Sequence, residues 1–214
     1  MSDEEYAYTD EEGEFLVKLA RESLETRLNT GSEMVPPEEC PFPKLLERSG
    51  VFVTLRKHDQ PVDESLRGCI GMIEARESLL LGVIHMAIAA GLEDPRFPEV
   101  RASELDHLVF EITAMTVPKL ITAKDPEAIK NSIKIGRDGL IMEHGRQRGL
   151  LLPQVPVEYD WDVATFLKHT CNKSWLADDA WKHKDTKIYA FQGEIFEEEE
   201  PRGKIMRKVI TKEG

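Results

Sequence analysis

Near its start the chain carries apolar residues at intervals of three and four: Phe15, Leu16, Leu19, Ala20, Leu24 and Leu28. That spacing predicts an amphipathic helix of about five turns. Thr9 with Glu12 three residues on has the form of a capping box at its start, and Gly31 can end it. Four prolines between residues 35 and 43 predict an extended connector that includes Cys40.

The pattern then changes period. Val51-Phe52-Val53-Thr54-Leu55 predicts a strand, residues 58–64 a polar loop, and residues 65–74 a second strand, together a hairpin. Residues 79–90 are apolar nearly all round, which predicts a buried helix stopped by Gly91 and Pro95. Residues 108–115 predict the next strand.

The second half repeats this order. Residues 133–135 and 140–143 flank Arg137-Asp138-Gly139, where Asp-Gly signals a hairpin turn. Residues 149–152 predict another strand. Residues 161–173 predict a helix capped by Asp160 or Asp162, with Phe166, Leu167 and Cys171 at helical spacing. Residues 187–197 predict a long final strand. Arg67-Gly68 opens the second strand of one half and Arg148-Gly149 its counterpart. The expected fold is therefore α+β: duplicated β-β-α-β units forming two packed subdomains, with an extra N-terminal helix. In outline, residues 1–8 are expected to be a disordered acidic N-terminus. Residues 9–200 are expected to form a single domain with halves at 45–120 and 130–200, followed by a basic tail at 201–214.

Composition narrows the function. Of 214 residues 41% are hydrophobic, enough for a substantial core. The net charge of −12 repels phosphates, so nucleic-acid binding is disfavoured. Lys204, Arg207, Lys208 and Lys212 are too few to reverse that and read as a solvated terminus. So does the acidic run at residues 197–200. The three cysteines, Cys40, Cys69 and Cys171, are widely spaced without a Cys-x-x-Cys pair, which argues against a disulfide framework and a zinc knuckle. The acidic start does not resemble a signal peptide, and the longest apolar run, residues 79–92, is too short to cross a bilayer. The expected location is cytoplasmic, with no metal, cofactor or membrane partner.

Candidate chemistry centres on Arg67-Gly68-Cys69-Ile70-Gly71. In an extended segment Leu66, Ile70 and Met72 point into the core, while Arg67 and Cys69 share the opposite face roughly 7 Å apart. A guanidinium at that range favours thiolate over thiol, making Cys69 a candidate nucleophile; a small thiol filling a tight sheet is the competing reading. Gly68 and Gly71 mark a bulge or a close approach, and at positive φ Gly68 would exclude a β-branched residue. No partner base follows from spacing among His58, His85, His107, His144 and His169. His85 reads as a hydrogen-bonded core histidine on an apolar helix. His169 and Cys171, two apart on a helix, diverge and do not chelate one ion.

Two words together carry a family resemblance. One is Leu66-Arg67-Gly68-Cys69-Ile70-Gly71, the motif LRGCIG. The other is Gly149-Leu150-Leu151-Leu152-Pro153-Gln154-Val155, followed by Glu158 and Trp161-Asp162, with Asp94-Pro95-Arg96-Phe97 between them. The chain resembles the AMME chromosomal-region (AMMECR) protein family, in its prokaryotic or archaeal form. The resemblance implies a two-subdomain α+β fold with a duplicated core, and matching positions at Arg67, Gly68, Cys69, Gly71, Asp94, Arg96, Pro153, Gln154, Glu158 and Trp161. It also implies company with MEMO-type or radical-SAM proteins, though the chain holds no radical-SAM cysteine triplet.

Three functions follow as expectations. The first is a binding or regulatory module that takes a small anionic ligand or a protein partner at a cleft with Arg67, Gly68, Gly71, Arg96, Gln154 and Trp161. The second is an enzyme with Cys69 as nucleophile, Arg67 stabilising charge, and Glu158 or His144 moving protons. Nucleic-acid binding is third.

Overall fold

A computed structural model of the protein describes residues 7–73 and 76–208. Most of the acidic N-terminus, Glu74 and Lys212 lie outside the described residues. The chain divides into two compact units. Residues up to Met115, together with Glu194–Lys208, form the first, and Thr116–Gly193 lie in the second.

In the first unit α1 (Asp10–Thr30) starts at the expected capping box. Thr9 accepts from the Glu12 amide at 3.2 Å, and Glu12 accepts from the Thr9 amide at 2.8 Å. It ends at Gly31, whose φ of 75° is left-handed. β1 (Val51–Lys57), a one-turn α2 (Val62–Ser65), β2 (Leu66–Met72), α3 (Leu79–Leu92) and β3 (Leu108–Met115) follow. β1 pairs antiparallel with both β2 and β3, so the order is β2-β1-β3 and β2 is an edge strand. The sheet continues through the end of β7 (Lys187–Glu198) to β8 (Ile205–Lys208). α1 and α3 pack on each other and on this sheet, enclosing Leu16, Leu24, Leu55, Ile84, Phe110 and Phe196.

The second unit holds a two-residue-pair β4 (Lys119–Leu120), α4 (Pro126–Asn131), β5 (Asp138–His144), β6 (Gln147–Leu151), α5 (Gln154–Glu158), α6 (Val163–Lys173) and the start of β7. β5 pairs antiparallel with both β6 and β7, the same order as in the first unit. α6 lies on β5 and β6, burying Phe166, Leu167 and Cys171 against Met142, Trp181 and Ile188. The fold is α+β, and each unit runs β-β-α-β with its first strand in the middle.

Four local expectations need correction. The hairpin turn is not Arg137-Asp138-Gly139 but Gly145-Arg146, between the paired His144 and Gln147, with Gly145 at φ 60° as a type II′ turn asks. Asp138 is buried, accepting the Lys134 amide and pairing with Arg137, and Gly139 lies under the ring of its cross-strand partner Phe191. Gly91 does not stop its helix; it lets Leu24 of α1 approach, and the helix ends at Leu92. His85 is half-exposed and paired with Glu77 at 2.8 Å, not a core histidine. The acidic run is not a solvated face throughout: strand alternation turns Glu198 inward. There it pairs through both oxygens with buried Arg21 of α1 and accepts the Phe110 amide. Arg21 is satisfied in turn by the Leu105 and Leu108 carbonyls and lies over the Phe110 ring. This completeness is what makes a buried ion pair tolerable. Arg207 meets Glu194, Asp10 and the Tyr8 carbonyl.

The repeated Arg-Gly words have a shared physical cause. A Cβ on Gly68 would stand 2.0 Å from the carbonyl oxygen of Ala90, in the last turn of α3. A Cβ on Gly149 would stand 2.6 Å from that of Lys173, at the end of α6. Each strand glycine thus admits the end of its helix onto the sheet. Gly68 is not among the left-handed glycines, Gly31, Gly136 and Gly145, so backbone contact and not positive φ excludes a side chain there. Gly68→Ala and Gly149→Ala are each expected to cost about 1–3 kcal/mol in urea melts, the usual range for overpacking, with Cys69→Ser close to wild type. Alanine variants that melt with the wild type would remove this account of the motif.

Candidate functional site

The cysteine word occupies the outer strand of the first unit. Edge strands leave every second N–H and C=O unpaired. At Cys69 both groups point outward and both are taken by the turn after α3. The Cys69 amide donates to Asp94 Oδ2 at 2.8 Å, and Arg96 Nη2 donates to the Cys69 carbonyl at 3.2 Å. Asp94 in turn accepts from the Arg96 amide at 3.1 Å, from Nε at 2.9 Å and from Nη2 at 2.7 Å. The short Asp94-Pro95-Arg96 segment does for one residue what a neighbouring strand would do for a row of them.

This accounting explains the electrostatics. Asp94 is only 4% exposed. The hydrogen bonds from Arg96 hold its carboxyl far below the usual carboxylate range, helped by the Cys69 amide and opposed by burial. The Arg96 guanidinium is pushed further up by the same contacts. Its side chain remains 53% exposed, and Nη1 donates to no acceptor among the described residues.

Arg67 lies differently from the sequence expectation. Its guanidinium is turned into the protein, with Nε and Nη2 on the two Glu104 oxygens at 2.9 and 3.1 Å. Nη1 donates to the Pro98 carbonyl at 2.8 Å and Nη2 to that of Glu99 at 3.3 Å. Burial pushes the Glu104 carboxyl up, but Arg67 and the Arg101 amide outweigh it and hold it low. Arg67 therefore ties the loop after α3 to the edge strand. The proposed partnership with the thiol has no contact behind it: Cys69 Sγ meets the Thr54 hydroxyl at 3.3 Å instead. Gly71 is covered by the Phe52 ring, 2.1 Å from where a Cβ would sit.

Sequence reasoning missed the rest of this face. Cys69, Thr54 and Glu111 are successive cross-strand partners on β2, β1 and β3. Glu111 is buried, and burial pushes its carboxyl up, against Lys208 and Arg56 and with the help of Glu197. Lys208 Nζ lies 3.6 Å from Glu111 and 3.1 Å from Glu197. Arg56 Nε lies 3.9 Å from Glu111 and is a buried donor without a hydrogen bond among the described residues. A signal was present: Glu111 is the one charged residue in the apolar strand LVFEITAM.

The other sequence candidates belong to the second unit. Gln154 begins α5, and its Oε1 is a buried acceptor without a partner among the described residues. Glu158 ends α5 and is exposed. Trp161 stacks on Tyr159 and on His169, with ring centroids at 5.2 and 4.0 Å. His144 Nδ1 lies 3.1 Å from the Thr186 hydroxyl, and its ring sits edge-on to His183. The structure thus groups Cys69, Asp94 and Arg96, with Arg67 behind them, and separately groups Trp161 with Tyr159 and His169.

Comparison with known proteins identifies the family. The AMMECR1 family model matches residues 17–196. The chain belongs to the AMMECR1 family. A Pyrococcus horikoshii protein, PH0010, is 51% identical over 94% of this chain and 97% of its own. A Methanopyrus kandleri protein, MK0488, is 43% identical over 96% and 97%. The crystal structure of PH0010, titled an uncharacterized protein, superposes with a TM-score of 0.78 at 50% identity, covering 95% of this chain and 100% of that one. Among the described residues of this AMMECR1-family chain no helix is long and apolar enough to cross a membrane.

Two outcomes test the site. Because the Asp94 carboxyl is held below its ordinary value of 3.8, its contribution to stability is full above that value and lost as pH falls below it. Asp94→Asn should therefore be less stable than wild type in urea melts at about pH 7, and the gap should close towards about pH 2. A gap that is constant with pH would contradict the ionic clamp. Cys171 is sealed in the second core, and burial pushes its thiol up to about 11, so iodoacetamide should label Cys69 well before Cys171. Mass spectrometry showing equal rates would contradict the assignment of the two cysteines.

Proposed function

We propose that this member of the AMMECR1 family is a binding or regulatory module that takes a small anionic ligand, or the acidic end of a partner segment, at the Cys69 loop. The observation that carries the reading is the state of Arg96. Its guanidinium is locked by Asp94 and by the Cys69 carbonyl, yet half its surface is open and Nη1 is unengaged among the described residues. A cation held in place before binding loses little freedom when an anion arrives. Arg67, engaged with Glu104 and two carbonyls, supports the loop and does not receive the ligand. MEMO-type or radical-SAM proteins are the partners to try first.

A second reading, Cys69 as the nucleophile of an enzyme, has one observation in its favour. Glu111, whose carboxyl burial pushes up, is the cross-strand neighbour of the Thr54 hydroxyl that meets the thiol. Against it stands the identity of that contact, a hydroxyl where a nucleophilic thiol would have a base.

The test is titration with inorganic phosphate and with citrate, followed by nuclear magnetic resonance shifts of the residue 68–71 amides. Wild type and Cys69→Ser should bind alike. Arg96→Gln should bind on the order of tenfold or more weakly, matching the loss of a charge-assisted hydrogen bond. Binding unchanged in Arg96→Gln would defeat the module reading, and binding lost only in Cys69→Ser would favour the enzyme.

A further inference from the structure

The second unit carries an aromatic feature that the Cys69 site does not use. Its sequence alternates charge and ring: Glu158-Tyr159-Asp160-Trp161-Asp162. Trp161 stacks on His169 of α6 at 4.0 Å with an interplanar angle of 10°, and on Tyr159 at 5.2 Å and 22°. The step between the two aromatic residues is reversed at Asp160, whose φ is 54°. The Trp161 amide is anchored on the Pro156 carbonyl at 2.9 Å. Yet the stack is not buried: Tyr159 is 65% exposed, one of the few large rings left in solvent among the described residues. A ring stiffened from behind by two others and open in front is a platform for something flat.

The surrounding charge says what kind of flat group. Glu158, Asp160 and Asp162, which alternate with the rings along the chain, are all exposed. Asp162 is engaged as the cap of α6, accepting the Thr165 amide at 2.7 Å, and Glu158 takes no hydrogen bond or ion pair among the described residues. A nucleobase would bring phosphates towards three carboxylates on a chain of net charge −12. A hydrocarbon side chain would cover the ring and leave the exposed Glu158 carboxylate unused. A lysine ammonium would satisfy charge but has no face to stack. A guanidinium does both: its plane lies on an aromatic ring while its edge donates to a carboxylate.

We propose that the Tyr159–Trp161–His169 stack, with Glu158 at its rim, is a docking site for an arginine side chain on a basic segment of a partner protein. Tyr159 supplies the face, Trp161 and His169 hold Tyr159 in place, and Glu158 accepts from the guanidinium edge. The site is built from residues of the second unit alone and does not depend on any ligand bound at the Cys69 loop.

The experiment uses the full chain and two fluorescein-labelled peptides of equal length and charge, one of alternating arginine and glycine, the other of alternating lysine and glycine. Fluorescence anisotropy should give tighter binding of the arginine peptide, by roughly threefold or more, the preference expected of stacking over simple charge attraction. Tyr159→Leu should abolish that preference, Tyr159→Phe should retain it, and Glu158→Gln should weaken both peptides. Near-ultraviolet circular dichroism confirms that each variant keeps its packed core. Equal binding of the two peptides by wild type would overturn the proposal. So would a preference that survives Tyr159→Leu, or tighter binding of a labelled oligothymidylate than of the arginine peptide.

Discussion

The close seat of a helix end on a strand glycine is the constraint on which the rest depends. With no Cβ at Gly68, the Ala90 carbonyl can come down onto β2, and the chain leaving α3 emerges beside the sheet edge. Only then do Asp94 and Arg96 fall within reach of the Cys69 backbone, and the following loop within reach of Arg67. The second unit uses the same seat, with Gly149 under the Lys173 carbonyl. Its strand order is the same, but its strand carries Leu150 where the first carries Cys69, and it has no Asp-Pro-Arg turn after the helix. The repeat is thus a shared packing solution, and the polar clamp is an addition made in one copy.

The clamp also explains why so many charged groups crowd one short stretch without forming an obvious catalytic set. An edge amide and carbonyl without partners are expensive once partly buried, and a carboxylate able to serve the amide is itself costly to bury alone. Arg96 resolves both, satisfying Asp94 and the Cys69 carbonyl together. Arg67 and Glu104 form a second such closed set. What remains open is the outer side of Arg96 and part of Cys69.

Much of this architecture was legible in the sequence. The capping box at Thr9 and the apolar strand at 108–115 each rest on short-range chemistry, and each is found as read. What escaped depends on long-range partners. Asp138-Gly139 has the composition of a turn, but Phe191, more than fifty residues on, decides Gly139, and the turn forms at Gly145. Glu198 looked solvated because Arg21 lies in another helix. The direction of Arg67 was misjudged because alternation gives a face but not which acceptors wait there, and Glu104 and the 98–99 carbonyls outcompete a thiol. Glu111 was visible as a lone charge in an apolar strand, and that signal was the one available pointer to the Thr54–Glu111 row.

The most direct test of the edge clamp is amide hydrogen exchange at Cys69, read by nuclear magnetic resonance in the wild type and in Asp94→Ala. If Asp94 holds this amide, Cys69 should be protected in the wild type to a degree comparable with the β1 amides, and should exchange far faster in the variant while β1 is unchanged. A Cys69 amide that exchanges as freely in the wild type as in Asp94→Ala would contradict the account.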